Sequence, residues 1–156
     1  MQSSNKPPDE GRDGPSLALS TTMLLIGAGR LAQRRFEAVL DDQKLTLRHV
    51  GAMAHLVHSP ELSYSDLARR ARVTPQSMHA TIGQLVELGA VTAEARGRAS
   101  YPRLTAHGHE LLAFAAEAAA MCDDALDIDD DVARALRDGL KTIVRRSLFP
   151  DSISDG

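Results

Sequence analysis

Four polar residues lie close together in the middle of the sequence: Gln76, Ser77, His79 and Gln84. A glutamine amide carries both a donor and an acceptor, which matches the edge that adenine presents in the major groove of DNA, while serine pairs permissively. Two arginines, Arg96 and Arg98, follow in a short segment that also contains glycine. Arginine suits the minor groove, where negative potential is concentrated. These residue types in this order predict contact with duplex DNA.

The segment that carries the four polar residues predicts an amphipathic helix. Thr74 is a preferred N-cap residue, and Pro75 falls at the first helical position, where its missing N–H costs nothing. Gly89 is a stop signal after about Leu88. At 100° per residue, one apolar arc is formed by Met78, Ile82, Leu85 and Val86. The opposite side carries Gln76, Ala80, Gly83 and Gln84, with Ser77 and His79 on its flanks.

The elements on either side of this helix predict a winged helix-turn-helix. Ser63 is a cap for a short preceding helix, which ends before the turn at Arg72. Strand-forming stretches at 91–95 and 101–104 surround the arginine-bearing tip and predict a β-hairpin wing. A helix fits the major groove, and a wing reaches the adjacent minor groove. We expect Arg72 and Thr74 to contact phosphates, which position a protein without specifying a sequence.

Longer helices are predicted outside this lobe. A polar arm over residues 1–15 predicts disorder. An apolar helical pattern follows from Ser16 to about Leu40, and Thr46 caps a second helix that ends near Ser59. After the wing, Thr105 caps a helix that runs to about Cys122. A last helix begins at three aspartates and ends at two arginines, as the helix dipole favours. Its apolar stripe contains Val132, Leu136, Leu140, Ile143 and Val144. The predicted fold class is therefore mainly α, with one small hairpin.

The net charge of −3 conceals an uneven distribution. Residues 45–105 carry seven arginines against four acidic side chains, whereas residues 106–156 carry five basic and eleven acidic side chains. We expect the basic middle to face DNA and the acidic last third to stay away from phosphate. The single cysteine excludes an internal disulfide framework, and no apolar stretch is long enough to span a membrane. These features predict a cytoplasmic protein.

Other functions compete with DNA binding. A winged helix can instead contact a protein partner, and a steep loss of affinity with rising salt would distinguish DNA from such a partner. The histidines form only pairs, such as His55 with His58, whereas a closed zinc site needs four convergent ligands, so no metal site is predicted. Cys122 is a candidate redox switch, but the acidic residues that follow it disfavour the thiolate, and we expect an inert thiol. The phosphate loop, nucleophile elbow and HExxH motifs of enzymes are absent, so neither catalysis nor a cofactor is predicted.

The order of several short motifs resembles the multiple-antibiotic-resistance regulator (MarR) family. These motifs are the Thr46-capped helix, Leu62-Ser63 with Asp66-Leu67-Ala68, Thr74-Pro75-Gln76-Ser77, Leu88-Gly89-Ala90-Val91, and Leu104-Thr105 with Gly108. The resemblance covers roughly residues 18–148. It implies a homodimeric transcription regulator, usually a repressor, that binds an inverted-repeat operator. In many members of the family a small, often aromatic anion releases the DNA.

The resemblance also implies how the chain is divided. A dimerisation helix is expected over 16–45, the DNA-binding lobe over 46–105, further dimerisation helices over 106–148 and a flexible tail over 149–156. The wing departs from the family pattern because Arg96 and Gly97 replace its usual Asp and first Arg, and only Arg98 matches. Pro102 lacks a ladder donor within the returning strand. We therefore expect a short wing.

Overall fold

A computed structural model of the protein describes residues 17–96 and 99–148. The predicted arm over 1–15, the tail over 149–156 and Arg98 lie outside the described residues. The described residues form six α-helices and one antiparallel hairpin, in the order α1 (Thr21–Leu40), α2 (Leu47–His58), α3 (Tyr64–Arg70), α4 (Pro75–Glu87), β1 (Val91–Arg96), β2 (Ala99–Leu104), α5 (Ala106–Asp124) and α6 (Asp130–Leu148). Short 3-10 turns precede and follow α1. The mainly α fold with a small wing is confirmed.

Hydroxyl side chains determine where five of these helices begin. At each N-cap a serine or threonine oxygen accepts the backbone N–H three residues ahead, which satisfies a donor that has no partner inside the helix. The residues are Ser20, Thr46, Ser63, Thr74 and Thr105. The predicted caps at the last four positions are thus present. The first helix differs slightly from expectation, because a 3-10 turn occupies Leu17–Leu19 and Ser20 starts α1.

The core lies where α2, α4, α5 and the base of the hairpin meet. Its fully buried side chains include Leu40, Met53, Leu56, Leu67, Ile82, Leu85 and Val91. Within α4 the predicted apolar arc is correct for Met78, Ile82 and Leu85, but Val86 is 42% exposed. Val86 projects roughly 90° from the centre of the buried side at 100° per residue. Thr81 is buried in its place, and its hydroxyl donates to the Ser77 carbonyl over 2.9 Å.

The wing is longer than the sequence predicted. Each strand has six residues, and the register pairs Val91 with Leu104 at the base and Ala93 with Pro102 in the middle. Pro102 is fully buried within β2 rather than ending it. Both strands of a two-stranded sheet are edge strands, so a residue whose N side faces away from the partner strand gives up no ladder bond.

A close crossing fixes the wing against α5. The Thr105 hydroxyl donates to the Gly89 carbonyl over 2.7 Å and accepts the Gly108 N–H over 3.0 Å. A Cβ at Gly108 would lie 2.2 Å from the Ala90 carbonyl oxygen and under 3 Å from the Leu104 side chain. The Leu-Thr-x-x-Gly motif therefore joins the end of the hairpin to the start of α5, and only glycine fits at the crossing.

Over residues 17–96 and 99–148, no helix combines the length and the apolar character needed to cross a bilayer.

Candidate nucleic-acid interface

The turn between α3 and α4 determines how the second helix of the motif projects. Ala71 closes α3, and the Val73 N–H donates to the Ala68 carbonyl over 3.0 Å. Arg72 lies between them with a φ of 54°, in the left-handed region. A residue other than glycine in that conformation is strained by about 1–2 kcal/mol. The side chain of Arg72 is exposed, as a phosphate contact requires.

The first turn of α4 presents polar groups beside the positive end of the helix dipole. The Thr74 hydroxyl accepts the Ser77 N–H over 3.1 Å and donates to the Ser77 hydroxyl over 2.9 Å. Gln76 is exposed on the outer side of the helix. A helix start of this kind attracts anions through its free N–H groups and its dipole. The outer side continues with Ala80 and Gly83, which are also exposed and small enough to let the helix backbone approach a groove.

His79 and the Ser77–Gln84 pair occupy opposite flanks of α4. The His79 ring stacks on Tyr64 of α3, with ring centroids 4.6 Å apart and an angle of 17° between the planes. Ser77 and Gln84 face α1 and α2 and line a cavity there. The structure thus brings Arg72, Thr74 and Gln76 to one exposed end of the motif, with His79 beside them. The base and phosphate contacts of all these residues remain predictions.

Two arginines of the basic middle, Arg70 and Arg103, donate hydrogen bonds to other parts of the lobe. Arg103 donates to the Pro60 carbonyl over 2.7 Å, which fastens the wing to the connection between α2 and α3. It also pairs at 3.8 Å with Glu94 on the other strand of the wing. Arg70 donates to the buried Ser59 hydroxyl over 2.7 Å. Arg96 ends β1, and Arg98 lies outside the described residues, so their minor-groove contacts remain predictions. The positive charge of the sequence therefore overstates the charge available to DNA.

The start of α3 is fixed by a carboxylate. Ser63 donates to Asp66 over 2.7 Å and accepts the Asp66 N–H over 3.2 Å, and Arg69 forms an ion pair with the same carboxylate. The hydrogen bond from Ser63, followed by the charge of Arg69, lowers the pKa of Asp66 below its ordinary value of 3.8. Asp66 is therefore ionised in the folded lobe at neutral pH, and it holds the helix that packs behind α4.

A cavity of about 660 Å³ separates α1 from the helix-turn-helix. Its lining residues are Gln33, Glu37, Thr46, Leu47, Arg48, Ser77, Ala80, Thr81 and Gln84. Gln33 donates to Glu37 over 3.0 Å on the α1 side. Arg48 provides a cation on the α2 side, so the cavity has an acidic wall and a basic wall. A small organic molecule fits a space of this size.

A buried histidine joins α2 to α4 at the edge of this cavity. The Nδ1 atom of His49 accepts the Thr46 N–H over 3.2 Å, and the Thr46 hydroxyl accepts the His49 N–H over 3.3 Å, which completes a reciprocal capping box. The Nε2 atom of His49 lies 2.8 Å from Oε1 of Gln84. Sequence reasoning identified Thr46 as a cap but missed His49. The usable signal was a hydrogen-bonding side chain three residues after the cap.

The histidines and the single cysteine do not form a metal cluster within the described residues. Over residues 17–96 and 99–148 no three His, Cys, Asp or Glu side chains are placed to share a metal ion. The pKa of His55 is lowered by burial and by the nearby charges of Arg70 and His58. Cys122 is a half-buried free thiol near the end of α5.

A tight helix pair with an exposed second helix, followed by a hairpin fastened to the same lobe, makes this a winged helix-turn-helix protein. The sequence profile of the MarR family matches residues 43–99. The HTH-type transcriptional repressor Rv2887 of Mycobacterium tuberculosis is 38% identical over 105 residues, which span 65% of this chain and 75% of that protein. The chain belongs to the MarR family of transcriptional regulators.

Solved structures of the same relative are similar over most of their length. The crystal structure of Rv2887 in complex with DNA aligns with a TM-score of 0.70 and 28% identity, covering 80% of this chain and 97% of that chain. The complex of Rv2887 with salicylic acid aligns with a TM-score of 0.65 and 29% identity, covering 80% and 96%. A DNA-bound and a ligand-bound form of one relative thus share this fold.

Proposed function

We propose that this protein is a repressor that binds an inverted-repeat operator as a homodimer and is released by a small molecule. The observation that carries the proposal is the exposed polar start of α4, where the side chains of Arg72 in the turn, Thr74 at the N-cap and Gln76 in the helix are all exposed. The similarity to a repressor whose structure contains DNA supports the same conclusion. Each subunit then places one α4 helix in a major groove.

The exposed apolar residues of α1, of the turn before it and of α6 supply an argument for a dimer. Leu17 and Leu19 are each 74% exposed, and Val132 on α6 is 53% exposed. Other large apolar residues of α1 and α6 are also exposed, among them Met23, Leu24, Ile26, Leu136, Leu140 and Val144. An amphipathic helix depends on packing of its apolar face for most of its stability. A second copy of the chain would cover these faces together and would set the two α4 helices at a fixed spacing.

The cavity between α1 and α4 is the proposed effector site. Salicylic acid binds the relative Rv2887, and an aromatic carboxylate is compatible with a space of about 660 Å³ that has Arg48 on one wall. Ser77, Ala80 and Gln84 of the cavity belong to the same helix as the proposed base contacts. A ligand here would therefore act directly on the recognition helix.

Selection of duplexes from a random library, followed by measurement of affinity against salt, tests the proposal. We expect an enriched palindrome with half-sites about 10 base pairs apart or a multiple of one turn, and a steep loss of affinity with salt. Light scattering should give the mass of a dimer. No enrichment, together with binding that does not depend on salt, would contradict DNA recognition and favour a winged helix that contacts a protein.

The Gln76→Ala variant tests the recognition helix itself. We expect a loss of about 1–3 kcal/mol in DNA binding and a relaxed preference at one base position. Gln43→Ala is the matched control, because Gln43 is an exposed glutamine in the turn after α1 and outside the motif. Equal effects of the two substitutions would remove Gln76 from the interface.

A further inference from the structure

His49 is a nearly fully buried ring whose hydrogen-bonding polarity is fixed by the backbone. The residue is 4% exposed, and the Nδ1 atom of its ring lies 3.2 Å from the Thr46 backbone nitrogen. A backbone N–H can only donate, so Nδ1 must accept and carries no proton. The neutral ring then holds its hydrogen on Nε2. The tautomer of His49 follows from a group whose polarity cannot be reversed.

This tautomer orients the side-chain amide of Gln84. Because Nε2 of His49 donates, the atom of Gln84 that lies 2.8 Å away must be the oxygen. The NH₂ group of the same amide makes no hydrogen bond to any residue within 17–96 or 99–148, and Gln84 lines the cavity. The amide therefore offers the cavity a pair of donors rather than an acceptor.

We propose that His49 is a specificity-determining residue of the cavity, which fixes the Gln84 amide so that the wall formed by α2 and α4 accepts the carboxylate of a ligand. The inference rests on the proposed function, since it assigns the polarity of the effector site. Arg48, a permanent donor, lies on the same wall, while the acceptor Glu37 lies on the α1 side. A ligand carboxylate is thus directed away from α1 and against the recognition helix.

Two substitutions at position 49 separate polarity from structure. His49→Gln retains an oxygen for the Thr46 N–H and an NH₂ for Gln84, so the Gln84 amide keeps its orientation. His49→Glu retains the capping box, because Glu is a usual residue at this position, but it offers Gln84 only acceptors. The Gln84 amide must then rotate and present its oxygen to the cavity. Gln84→Glu reverses the polarity from the other side at an exposed position and leaves His49 unchanged.

The experiment measures the affinities of salicylate and of its neutral analogue salicylamide for the full-length protein by titration calorimetry. We expect the wild type to prefer salicylate and His49→Gln to keep that preference within about twofold. In His49→Glu and in Gln84→Glu the ratio of the two affinities should shift by about tenfold or more toward salicylamide, because an acceptor replaces the donor that would face the ligand. Thermal melting of each variant verifies that it is folded.

Two controls exclude simple charge repulsion. At the exposed position 84, repulsion between an added carboxylate and salicylate would be screened at high ionic strength, whereas reversed polarity should persist in salt. At the buried position 49, where salt screens weakly, the gain in salicylamide affinity makes the distinction, because repulsion of salicylate would leave salicylamide unaffected. Gln84→Met removes both hydrogen-bonding groups and should weaken the preference for salicylate without favouring salicylamide. An unchanged preference in both Glu variants, or a lost preference in His49→Gln, would overturn the role of His49.

DNA binding by the same preparations separates this inference from the proposed function. A wild-type protein that binds its selected operator but neither probe would overturn the assignment of His49 and leave the DNA-binding regulator intact. A protein that binds salicylate with the expected selectivity but no DNA would support the role of His49 and contradict the repressor.

Discussion

Gly83 offers a test in which stability and DNA affinity should change in opposite directions. It lies near the middle of α4 on the exposed outer side, and a Cβ built there meets nothing within 4 Å. Glycine inside a helix costs about 1 kcal/mol relative to alanine. Gly83→Ala should therefore raise the free energy of unfolding by about that amount, because the added methyl neither clashes nor leaves a cavity.

The same methyl should weaken DNA binding if the outer side of α4 enters a groove. Because glycine has no side chain, the helix backbone at Gly83 can approach DNA more closely than it could with any other residue at this position. A methyl group that overpacks such a tight contact costs about 1–3 kcal/mol. A loss near the middle of that range corresponds to an affinity more than tenfold lower. Urea unfolding and fluorescence anisotropy on the selected operator measure the two quantities on one preparation.

Gly51 provides the matched control. It is an exposed glycine in α2, and a Cβ there also meets nothing within 4 Å. Gly51→Ala should stabilise the protein to a similar extent and leave the affinity for DNA unchanged. If Gly83→Ala is more stable and binds DNA as tightly as the wild type, the outer side of α4 does not enter a groove as closely as we argue.

Three further substitutions, and one control, test the elements around α4. Gly108→Ala should lower the free energy of unfolding by about 1–3 kcal/mol in urea, because its methyl would overlap the Ala90 carbonyl. Arg72→Gly should relieve about 1 kcal/mol of backbone strain, yet it should lower the affinity for DNA of every sequence and reduce the salt slope by about one. Lys44→Gly, at the similar φ of 55°, is the control and should stabilise the protein without changing the affinity for DNA. The pKa of Asp66 is lowered in the folded protein, so its contribution to stability is fully present above about pH 3.8 and is lost as the pH falls through the pKa of the folded state. Asp66→Asn should remove that part of the acid dependence in pH-resolved melting.

Local signals in the sequence were sufficient to locate most of the fold. The hydroxyl of Thr74 and the ring of Pro75 act within one turn of chain, so the start of α4 could be predicted without knowing its neighbours. The same holds for the cap at Thr105. The extent of the wing could not be derived this way, because whether Pro102 ends a strand depends on which side of it faces the partner strand.

The site was harder to predict from the sequence, because the roles of its residues depend on contacts between positions that are far apart in the chain. Helical periodicity alone places Gln84 on the polar side of α4, and nothing within a few residues shows that its amide meets His49, which lies 35 positions earlier. The sequence alone shows Arg103 as one more cation of the basic middle, yet its guanidinium donates to the carbonyl of Pro60, in the connection between α2 and α3. Long-range pairings of polar groups have no periodic signature.

If the cavity binds the proposed effector, the arrangement of α4 would make effector and operator compete. One helix of thirteen residues carries Gln76 and Gly83 on its outer side and Ser77 and Gln84 on the flank that lines the cavity. A helix with intact backbone hydrogen bonds moves as a unit, so a ligand that displaces the flank also displaces the outer side. Since DNA recognition depends on contacts of definite geometry, a small displacement is sufficient to reduce affinity. A bound carboxylate would act on the bond between His49 and Gln84, because the Gln84 amide accepts from His49 through its oxygen and would donate to the ligand through its NH₂ group.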